Sequence, residues 1–157
     1  MLRLYRITNA RYAVMDGMGA SMQGARWNSP GVGPIYAAEN YSGAYLELMV
    51  KLGRVALSGV YHYCEIVVPD DVPVEDSNFP LAELERESVT RRCGNSWWKE
   101  LRTAVLRVPS AVTHVDSNFL LNPFHPQFHI LQVSATRPVW VDPRLTLAAQ
   151  GWKAGAR

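Results

Sequence analysis

Three separated polar residues, Arg26, Glu47 and Ser110, lie where a purely structural domain has little use for them. Arg26 lies in the turn-rich segment 24–31, where its planar guanidinium could bind two phosphate oxygens at once. Packing of this arginine on the ring of Trp27 explains the same residues equally well. The local sequence therefore indicates either an anion site or a packed loop.

Glu47 stands among apolar residues in the segment 44–52, which predicts a largely buried carboxylate. Such a group is costly to bury unless partners or a reaction use its charge, and a position facing a cleft would give it both. The alternative is an ion pair between Glu47 and Lys51, four residues apart on a thin solvent-facing stripe with Gly43. On local sequence alone the ion pair is the slightly better interpretation.

Hydrogen-bonding residues also occur at the ends of later elements. Ser110 directly follows an apolar strand, and Asn118 and Asn122 flank another apolar run. Functional sites concentrate on loops carried by strands, although serine and asparagine more often form turns there. Tyr36, in a short predicted strand over residues 34–37, is either a core aromatic residue or a ring that stacks on a ligand.

Several common chemistries have no motif here. The chain lacks GxxxxGK[ST], GxGxxG and GxSxG, so a P-loop, the usual dinucleotide loop and a serine-hydrolase elbow are not supported. His125 and His129 lie four apart, but Pro126 interrupts the helical register and no third ligand follows, so we expect no metal site. Cys64 and Cys93 have no CxxC spacing, and we expect two reduced, structural thiols.

Size and composition point to one folded domain. The chain has 157 residues, of which 48% are hydrophobic and 19% charged, with a formal net charge of +2. It has no long basic stretch, so direct nucleic-acid binding is not expected. It also shows no signal-peptide pattern and no apolar run near the roughly 20 residues that a membrane span needs. We therefore expect a cytoplasmic protein that is neither secreted nor membrane-bound.

The secondary-structure elements that must position these residues are predicted from hydrophobic patterns and from residues that begin or end helices and strands. Residues 2–7 and 60–68 are rich in β-branched and aromatic residues and predict strands. Residues 40–53 predict a helix, because Asn40 can cap its start and Gly53 can end it.

The second half of the chain gives weaker signals. Residues 96–103 predict a helix that leads into a strand at 104–108. Further strands are predicted at 128–133 and 138–141, and residues 146–157 are predicted to be a C-terminal tail. The fold class is therefore α+β or mixed α/β.

Three segments in order, GARWNSPGVGPIYAAENYSGAYLELM, WWKELRTAVLRVPSAV and NFLLNPFHPQF, resemble the RES-domain toxins. That family is named for an Arg, a Glu and a Ser, and its members are encoded beside an Xre-type antitoxin. The resemblance spans roughly residues 3–142 and implies a RES domain over 1–145 followed by a tail over 146–157. It also implies a compact α+β fold akin to ADP-ribosyltransferases, with a mixed sheet and flanking helices.

The same resemblance implies the site residues. Arg26, Glu47 and Ser110 match the naming residues and are the implied catalytic set. The implied NAD+-binding set is Arg26, Tyr36, Glu47, Ser110, Asn118 and Asn122.

Two further features of the resemblance are more local. The pair Tyr5-Arg6 looks like the Y-R pair at the N-terminus of the family, and Tyr45 matches only as a neighbour of Glu47. Gly43 lies inside the predicted helix, and Tyr45 stands before Leu46 where a smaller residue is expected in many relatives. This difference would change the mouth of the pocket first, and with it the molecule that accepts ADP-ribose.

The reaction implied by the resemblance consumes NAD+ by breaking the bond between nicotinamide and ribose, with no metal. ADP-ribose passes to inorganic phosphate in the favoured version, and to a protein side chain or to water in the alternatives. Positive charge builds up on the ribose, which Glu47 could stabilise while Arg26 holds phosphate oxygens.

The implied partner is a cognate Xre-type antitoxin that occludes the active site in a hetero-oligomer. DNA would then be bound by the antitoxin and not by this chain. An interpretation of another class is a non-catalytic module whose pocket only receives the antitoxin.

Overall fold

The computed structural model describes residues 1–53 and 59–145. The strands are β1 (Leu2–Asn9), β2 (Ile35–Ala38), β3 (Tyr61–Val68), β4 (Val74–Asp76), β5 (Val105–Pro109), β6 (Ser117–Leu121), β7 (Gln132–Val133) and β8 (Arg137–Pro138). The helices are α1 (Met18–Gln23), α2 (Tyr41–Leu52) and α3 (Glu87–Lys99), with short 3-10 helices at Leu81–Glu83 and Pro126–Ile130. No helix in the described ranges has the length and apolar character needed to cross a membrane.

One sheet contains all the strands of the described residues. Its order is β4-β5-β6-β2-β1-β3-β7, and β8 also pairs with β3. The β4–β5 pair is parallel and the other pairs are antiparallel. The predicted α+β class, with a mixed sheet and flanking helices, is therefore confirmed.

Each face of the sheet carries its own core, because successive side chains of a strand point to opposite faces. Ile35 and Phe119 belong to one core. Leu120 belongs to the other, where it packs with Trp27 of the arginine-containing loop and Trp97 of α3. We call this second side the helix face.

Helix α2 has the predicted ends. The side chain of Asn40 accepts a 2.6 Å hydrogen bond from the backbone N–H of Gly43, and Gly53 adopts a φ of +57° after the last turn. A Cβ on Gly43 would lie 3.2 Å from Asn40 Oδ1 and 3.6 Å from the Cβ of Ala38. Gly43 thus lets the helix start close to β2 and its own capping side chain.

Aromatic contacts place α2 on the helix face. Tyr41 packs edge-on against Tyr5 of β1 at 6.2 Å and against Tyr63 of β3 at 4.9 Å between ring centroids. Tyr5 follows the core residue Leu4 and therefore points to the opposite side of the sheet from it. Helices α2 and α3 consequently lie on the same face.

The helix predicted over 96–103 is wrong in its bounds, because α3 runs from Glu87 to Lys99. Its first half is mostly polar, and its two apolar residues, Val89 and Cys93, were too few to reveal the repeat. Its end is earlier because Leu101 takes a φ of +49° and the Thr103 hydroxyl bonds to the Trp97 indole and to Val105. The predicted strand that follows is confirmed as β5.

The strand predicted over 128–133 is mostly wrong. Pro126 begins a 3-10 helix, whose first turn is capped by a 3.1 Å bond from the backbone N–H of Gln127 to His125 Nδ1. Strand structure remains only in β7, and of residues 138–141 only Pro138 belongs to β8.

The remaining strands and the first helix differ in how well the sequence predicted them. Strands β1, β2 and β3 confirm the predictions at the start of the chain, whereas α1, β4 and β6 were not predicted. The predicted tail, residues 146–157, lies outside the described residues.

Candidate active site

Glu47 of α2 is held by two residues that are remote from it in sequence. Its Oε1 accepts hydrogen bonds from the Ser110 hydroxyl at 3.1 Å and from the Asn118 amide at 2.6 Å. Asn118 lies in β6 two residues before Leu120, so its side chain shares the helix face. Within the described ranges Oε2 forms no hydrogen bond, which leaves one carboxylate oxygen available for a ligand.

Ser110 is fixed by the turn that follows β5. Its hydroxyl accepts the backbone N–H groups of Val112 and Thr113, each at 3.2 Å, and its own N–H donates to the carbonyl of Asp116 at 2.9 Å. The residue is 3% exposed. Because the oxygen already accepts two bonds, the hydroxyl proton is directed to Glu47.

The alternative partner of Glu47 suggested by the sequence was Lys51. No ion pair joins these two residues in the described part of the chain, where the glutamate forms hydrogen bonds across the helix face instead. Glu47 is half-buried, and its hydrogen bonds to Ser110 and Asn118 favour a carboxylate held against the sheet over the helix ion pair.

Arg26 lies in the loop between α1 and β2. Its Nη1 donates a 2.6 Å hydrogen bond to the carbonyl of Leu84, and over the described residues Nε and Nη2 have no hydrogen-bond partner. Trp27 is buried and packs edge-on against Phe79 at 4.9 Å, so it is Phe79, not Arg26, that meets its ring. The guanidinium is thus anchored at one nitrogen and has donors left over.

Tyr36 ties the arginine loop to the sheet. Its hydroxyl donates to Asn28 Oδ1 at 2.7 Å and accepts the backbone N–H of Trp27 at 3.3 Å. Burial raises the pKa of the Tyr36 hydroxyl, so the group stays protonated and acts as a donor. The hydroxyl is therefore committed to the loop, and only the ring remains to contact a ligand.

Asn28 is a site-supporting residue that the sequence did not reveal. It is fully buried, and its amide donates to the carbonyls of Ala20, Ser29 and Val32. These bonds close the loop around Arg26. The signal that could have found it, a lone asparagine between a tryptophan and a serine-proline turn, is too common to single out.

Glu47 with its partners Ser110 and Asn118, called the Glu47 cluster below, is linked to the arginine loop through two neighbouring strands. Tyr36 pairs with Leu120, and Ala38 pairs with Asn118, in the antiparallel register of β2 and β6. Tyr36 and Asn118 are therefore diagonal neighbours on the helix face, a relation that corresponds to about 7–8 Å. Tyr36, which bonds to the arginine loop, and Asn118, which bonds to Glu47, thus share one stretch of sheet.

Asn122 lies away from this cluster. It follows the far end of β6, four residues from Asn118, which corresponds to about 13 Å along a strand. It is fully buried, donates to the carbonyl of Trp98 at 3.3 Å and accepts the N–H of Phe124 at 3.0 Å. These contacts describe a residue that fixes a turn.

The N-terminal pair Tyr5-Arg6 is structural in this geometry. The Arg6 guanidinium donates to the backbone carbonyls of Val14, Tyr36 and Asp16. Burial lowers its pKa. Arg6 thus supports β2 from the face opposite to the candidate site.

The histidines and cysteines stand apart from these residues. His125 caps a 3-10 helix and His129 contacts the carbonyl of Pro126, and the described residues contain no metal-binding group of three or more His, Cys, Asp or Glu side chains. Both cysteines are free thiols, and burial raises the pKa of Cys64 to about 11. A thiol with so high a pKa is a poor nucleophile.

Comparison with known proteins shows the family of this chain. The model of the RES domain family matches residues 3–142. A protein of Sphingobium sp. (strain YBL2) named Prs ADP-ribosylating toxin is 34% identical over 138 residues, which cover 83% of this chain and 86% of the relative. The chain belongs to the RES-domain toxins. The expected family is thereby confirmed.

Other relatives of this RES-domain toxin agree in length and fold. A protein named Toxin Res from Yersinia enterocolitica is 30% identical, with 92% of this chain and 99% of the relative covered. A chain in the crystal structure of the M. tuberculosis MbcT-MbcA toxin-antitoxin complex superposes with a TM-score of 0.69 at 22% identity, covering 95% of this chain and 88% of that chain. The second likeness shows a shared fold.

Proposed function

We propose that this RES-domain toxin cleaves the nicotinamide–ribose bond of NAD+ and transfers ADP-ribose to inorganic phosphate. The observation that carries the proposal is the Glu47 carboxylate, of which Ser110 and Asn118 hold one oxygen while the other has no hydrogen bond among the described residues. A fixed negative charge together with an arginine that has free donors suits a substrate that has a diphosphate and a ribose that becomes cationic.

In the proposed reaction the electron pair of the broken C–N bond leaves with nicotinamide, which departs as a neutral molecule. The ribose carbon gains oxocarbenium-like charge, and a phosphate oxygen then forms the new bond to that carbon. Glu47 Oε2 would stabilise the developing charge. The Ser110 and Asn118 hydrogen bonds keep Oε1 in place, so little reorganisation is needed at the moment of reaction.

The remaining residues take binding roles in this proposal. Arg26 would bind the diphosphate or the incoming phosphate through its free nitrogens, because planar paired donors match phosphate oxygens. Tyr36 would contribute its ring face, since its hydroxyl is used within the loop. Asn122 would support the wall of the site indirectly, by fixing the turn after β6.

A second candidate function is protein mono-ADP-ribosylation. The relative at 34% identity bears the name Prs ADP-ribosylating toxin, which favours a protein acceptor in at least that homologue. The two functions share every residue of the site and differ only in the group that attacks the ribose.

The proposed partner is an Xre-type antitoxin that covers the site. The similar solved fold comes from a toxin-antitoxin complex. An enzyme that destroys a shared cofactor of the cytoplasm must be held inactive in its host, and an acidic group of the partner could take the place of the substrate phosphates at Arg26. In this proposal the toxin itself does not bind DNA, since its net charge is only +2.

The test is product analysis by mass spectrometry after the purified chain is incubated with NAD+, with and without phosphate. Phosphate-dependent loss of NAD+ with release of nicotinamide and phosphorylated ADP-ribose supports the phosphorylase. Phosphate-independent loss with mass gain on a protein favours the transferase. Intact NAD+ under both conditions, and again when bacterial lysate proteins are added as acceptors to the antitoxin-free protein, rules out both enzymatic functions and leaves the non-catalytic module.

A further inference from the structure

One side of α3 is bonded to the backbone of the arginine loop. The Thr90 hydroxyl donates to the carbonyl of Arg26 at 2.6 Å, and Arg91 Nε donates to the carbonyl of Ala25 at 2.9 Å. One turn later, Asn95 accepts the N–H of Ser29 at 3.1 Å and donates to its hydroxyl at 2.8 Å. Asn95 follows Arg91 by four residues and Thr90 by five, so these side chains lie on one side of the helix.

Gly94 shows how close the helix and the loop are. A Cβ at this position would lie 2.0 Å from the carbonyl oxygen of Trp27. The two backbones are thus in direct contact, and a side chain larger than hydrogen would force them apart. The loop cannot adopt this position without a glycine at this place in α3.

The same segment also holds the side chain of Arg26. Leu84, whose carbonyl accepts the guanidinium, lies just before α3 and is fully buried in the core that contains Trp97. Both the backbone and the guanidinium of Arg26 are therefore anchored to residues 84–95. Glu47, in contrast, is anchored to β6 and the turn after β5.

We infer that Thr90 is a positioning residue for substrate binding, which acts through Arg26 and not on the reacting bond. The inference rests on the proposed function, in which Arg26 binds the phosphates of NAD+. Thr90 is fully buried, and among the described residues its hydroxyl is the hydrogen-bond donor to the Arg26 carbonyl. Loss of this bond leaves the Arg26 carbonyl without its partner and loosens the loop at this residue, while the bonds of Ser110 and Asn118 to Glu47 stay intact, so we expect weaker binding and unchanged chemistry.

The first experiment compares steady-state kinetics of Thr90→Val and Thr90→Ser with those of the unchanged protein. Valine keeps the shape of threonine and removes only the donor, so we expect KM for NAD+ to rise about threefold to tenfold with kcat nearly unchanged. Serine retains the hydroxyl and should restore KM. An increase that serine fails to reverse, or an equal loss in kcat, contradicts the inference.

Thr103→Val is the matched control. Thr103 also carries a bonded hydroxyl, which accepts from the Trp97 indole at 2.9 Å and donates to the carbonyl of Val105 at 2.8 Å, but it does not touch the arginine loop. The Thr103→Val variant should lower the melting temperature in the same way as Thr90→Val and leave KM for NAD+ unchanged. If both variants change KM equally, Thr90 has only a structural role.

The second experiment shows whether Thr90 acts through Arg26. Affinity for ADP-ribose, which contains the diphosphate and is not consumed, is measured by calorimetry for Thr90→Val, Arg26→Ala and the double variant. The double variant should bind no more weakly than Arg26→Ala alone. Additive losses overturn the inference.

These outcomes separate the inference from the proposed function. If the unchanged protein neither consumes NAD+ nor binds ADP-ribose, the proposed function fails and the role of Thr90 fails with it. If the unchanged protein is active and Thr90→Val is kinetically normal, only the inference fails. If Thr90→Val does not fold, Asn95→Ala removes both bonds to Ser29 from a partly exposed position and should raise KM in the same direction.

Discussion

The Glu47 cluster and the Arg26 loop are built in opposite ways. Glu47 is held at its carboxylate, by a serine and an asparagine that bond to the oxygen beside the one left for a ligand. Arg26 is held mainly through the loop backbone, which Tyr36 and α3 fix from two sides, while most of its guanidinium nitrogens stay free. Tight control of a charge suits stabilisation of a transition state, and a fixed loop with free donors suits binding.

The largest expected effect is on Glu47. In Glu47→Gln the amide oxygen can still accept from Ser110 and Asn118, so the substitution replaces only the free oxygen by an uncharged group. We expect turnover of NAD+ to fall by at least about 100-fold while ADP-ribose still binds. Circular dichroism checks the fold and calorimetry checks binding. Turnover within about tenfold of the unchanged protein, or about 1.4 kcal/mol of barrier, would contradict the electrostatic role.

Arg26→Ala should act on binding first. Charge-assisted hydrogen bonds to phosphate oxygens are worth about 1.5–3 kcal/mol, so affinity for ADP-ribose should fall by about 10-fold to 100-fold. The loss in activity at low NAD+ should be of the same size. Lysine at this position keeps the charge and loses the planar fork, so Arg26→Lys should recover only part of the affinity. Unchanged affinity in Arg26→Ala would place the diphosphate elsewhere.

Competition between the antitoxin and NAD+ tests the role of Arg26 in a third way. If it occludes Arg26, antitoxin and NAD+ compete, and NAD+ at ten times its Kd should weaken antitoxin binding about tenfold. The measurement uses Glu47→Gln, which should retain substrate without consuming it. Antitoxin affinity that is constant across the NAD+ series would show that the partner acts from another surface.

The structure also shows which parts of the fold were predictable. Helix α2 was predicted with its ends because Asn40 and Gly53 supply the capping chemistry that the backbone requires. Most of α3 was missed because the side that contacts the arginine loop is made of threonine, arginine, glycine and asparagine. These residues contact backbone atoms, so they leave no apolar repeat to detect.

The site shows the same limit. Glu47 meets Ser110 and Asn118 across 63 and 71 positions of sequence, and no local pattern reports such a contact. The residues alone left Glu47 open between a helix ion pair and a buried charge, and the family resemblance named the set. Neither the residue pattern nor the family resemblance indicated Asn28 and Thr90. Each of them donates hydrogen bonds to backbone carbonyls of the loop, a role that no sequence motif reports.

Ser110→Ala should have a smaller effect than Glu47→Gln. It removes one of two donors to Glu47 Oε1, while the shorter bond from Asn118 remains. We expect kcat to fall about fivefold to tenfold, with little change in KM. Thr113→Ala is the matched control, since the Thr113 hydroxyl supports the same turn through Asp116 without contacting Glu47. Equal losses in both variants would assign Ser110 to the turn alone.

The smallest effect on activity is expected at Asn122, although the family motif includes it. Its side chain bonds to Trp98 and Phe124 at the far end of β6 and is fully buried, so Asn122→Ala leaves backbone groups without partners. The free energy of unfolding should fall by about 1–3 kcal/mol, while kcat and KM at a temperature well below melting stay within about twofold. Chemical denaturation measures the first and product formation the second. A specific loss of NAD+ affinity in a protein of normal stability would instead move Asn122 into contact with substrate, and the boundary of the site would have to extend along the whole of β6.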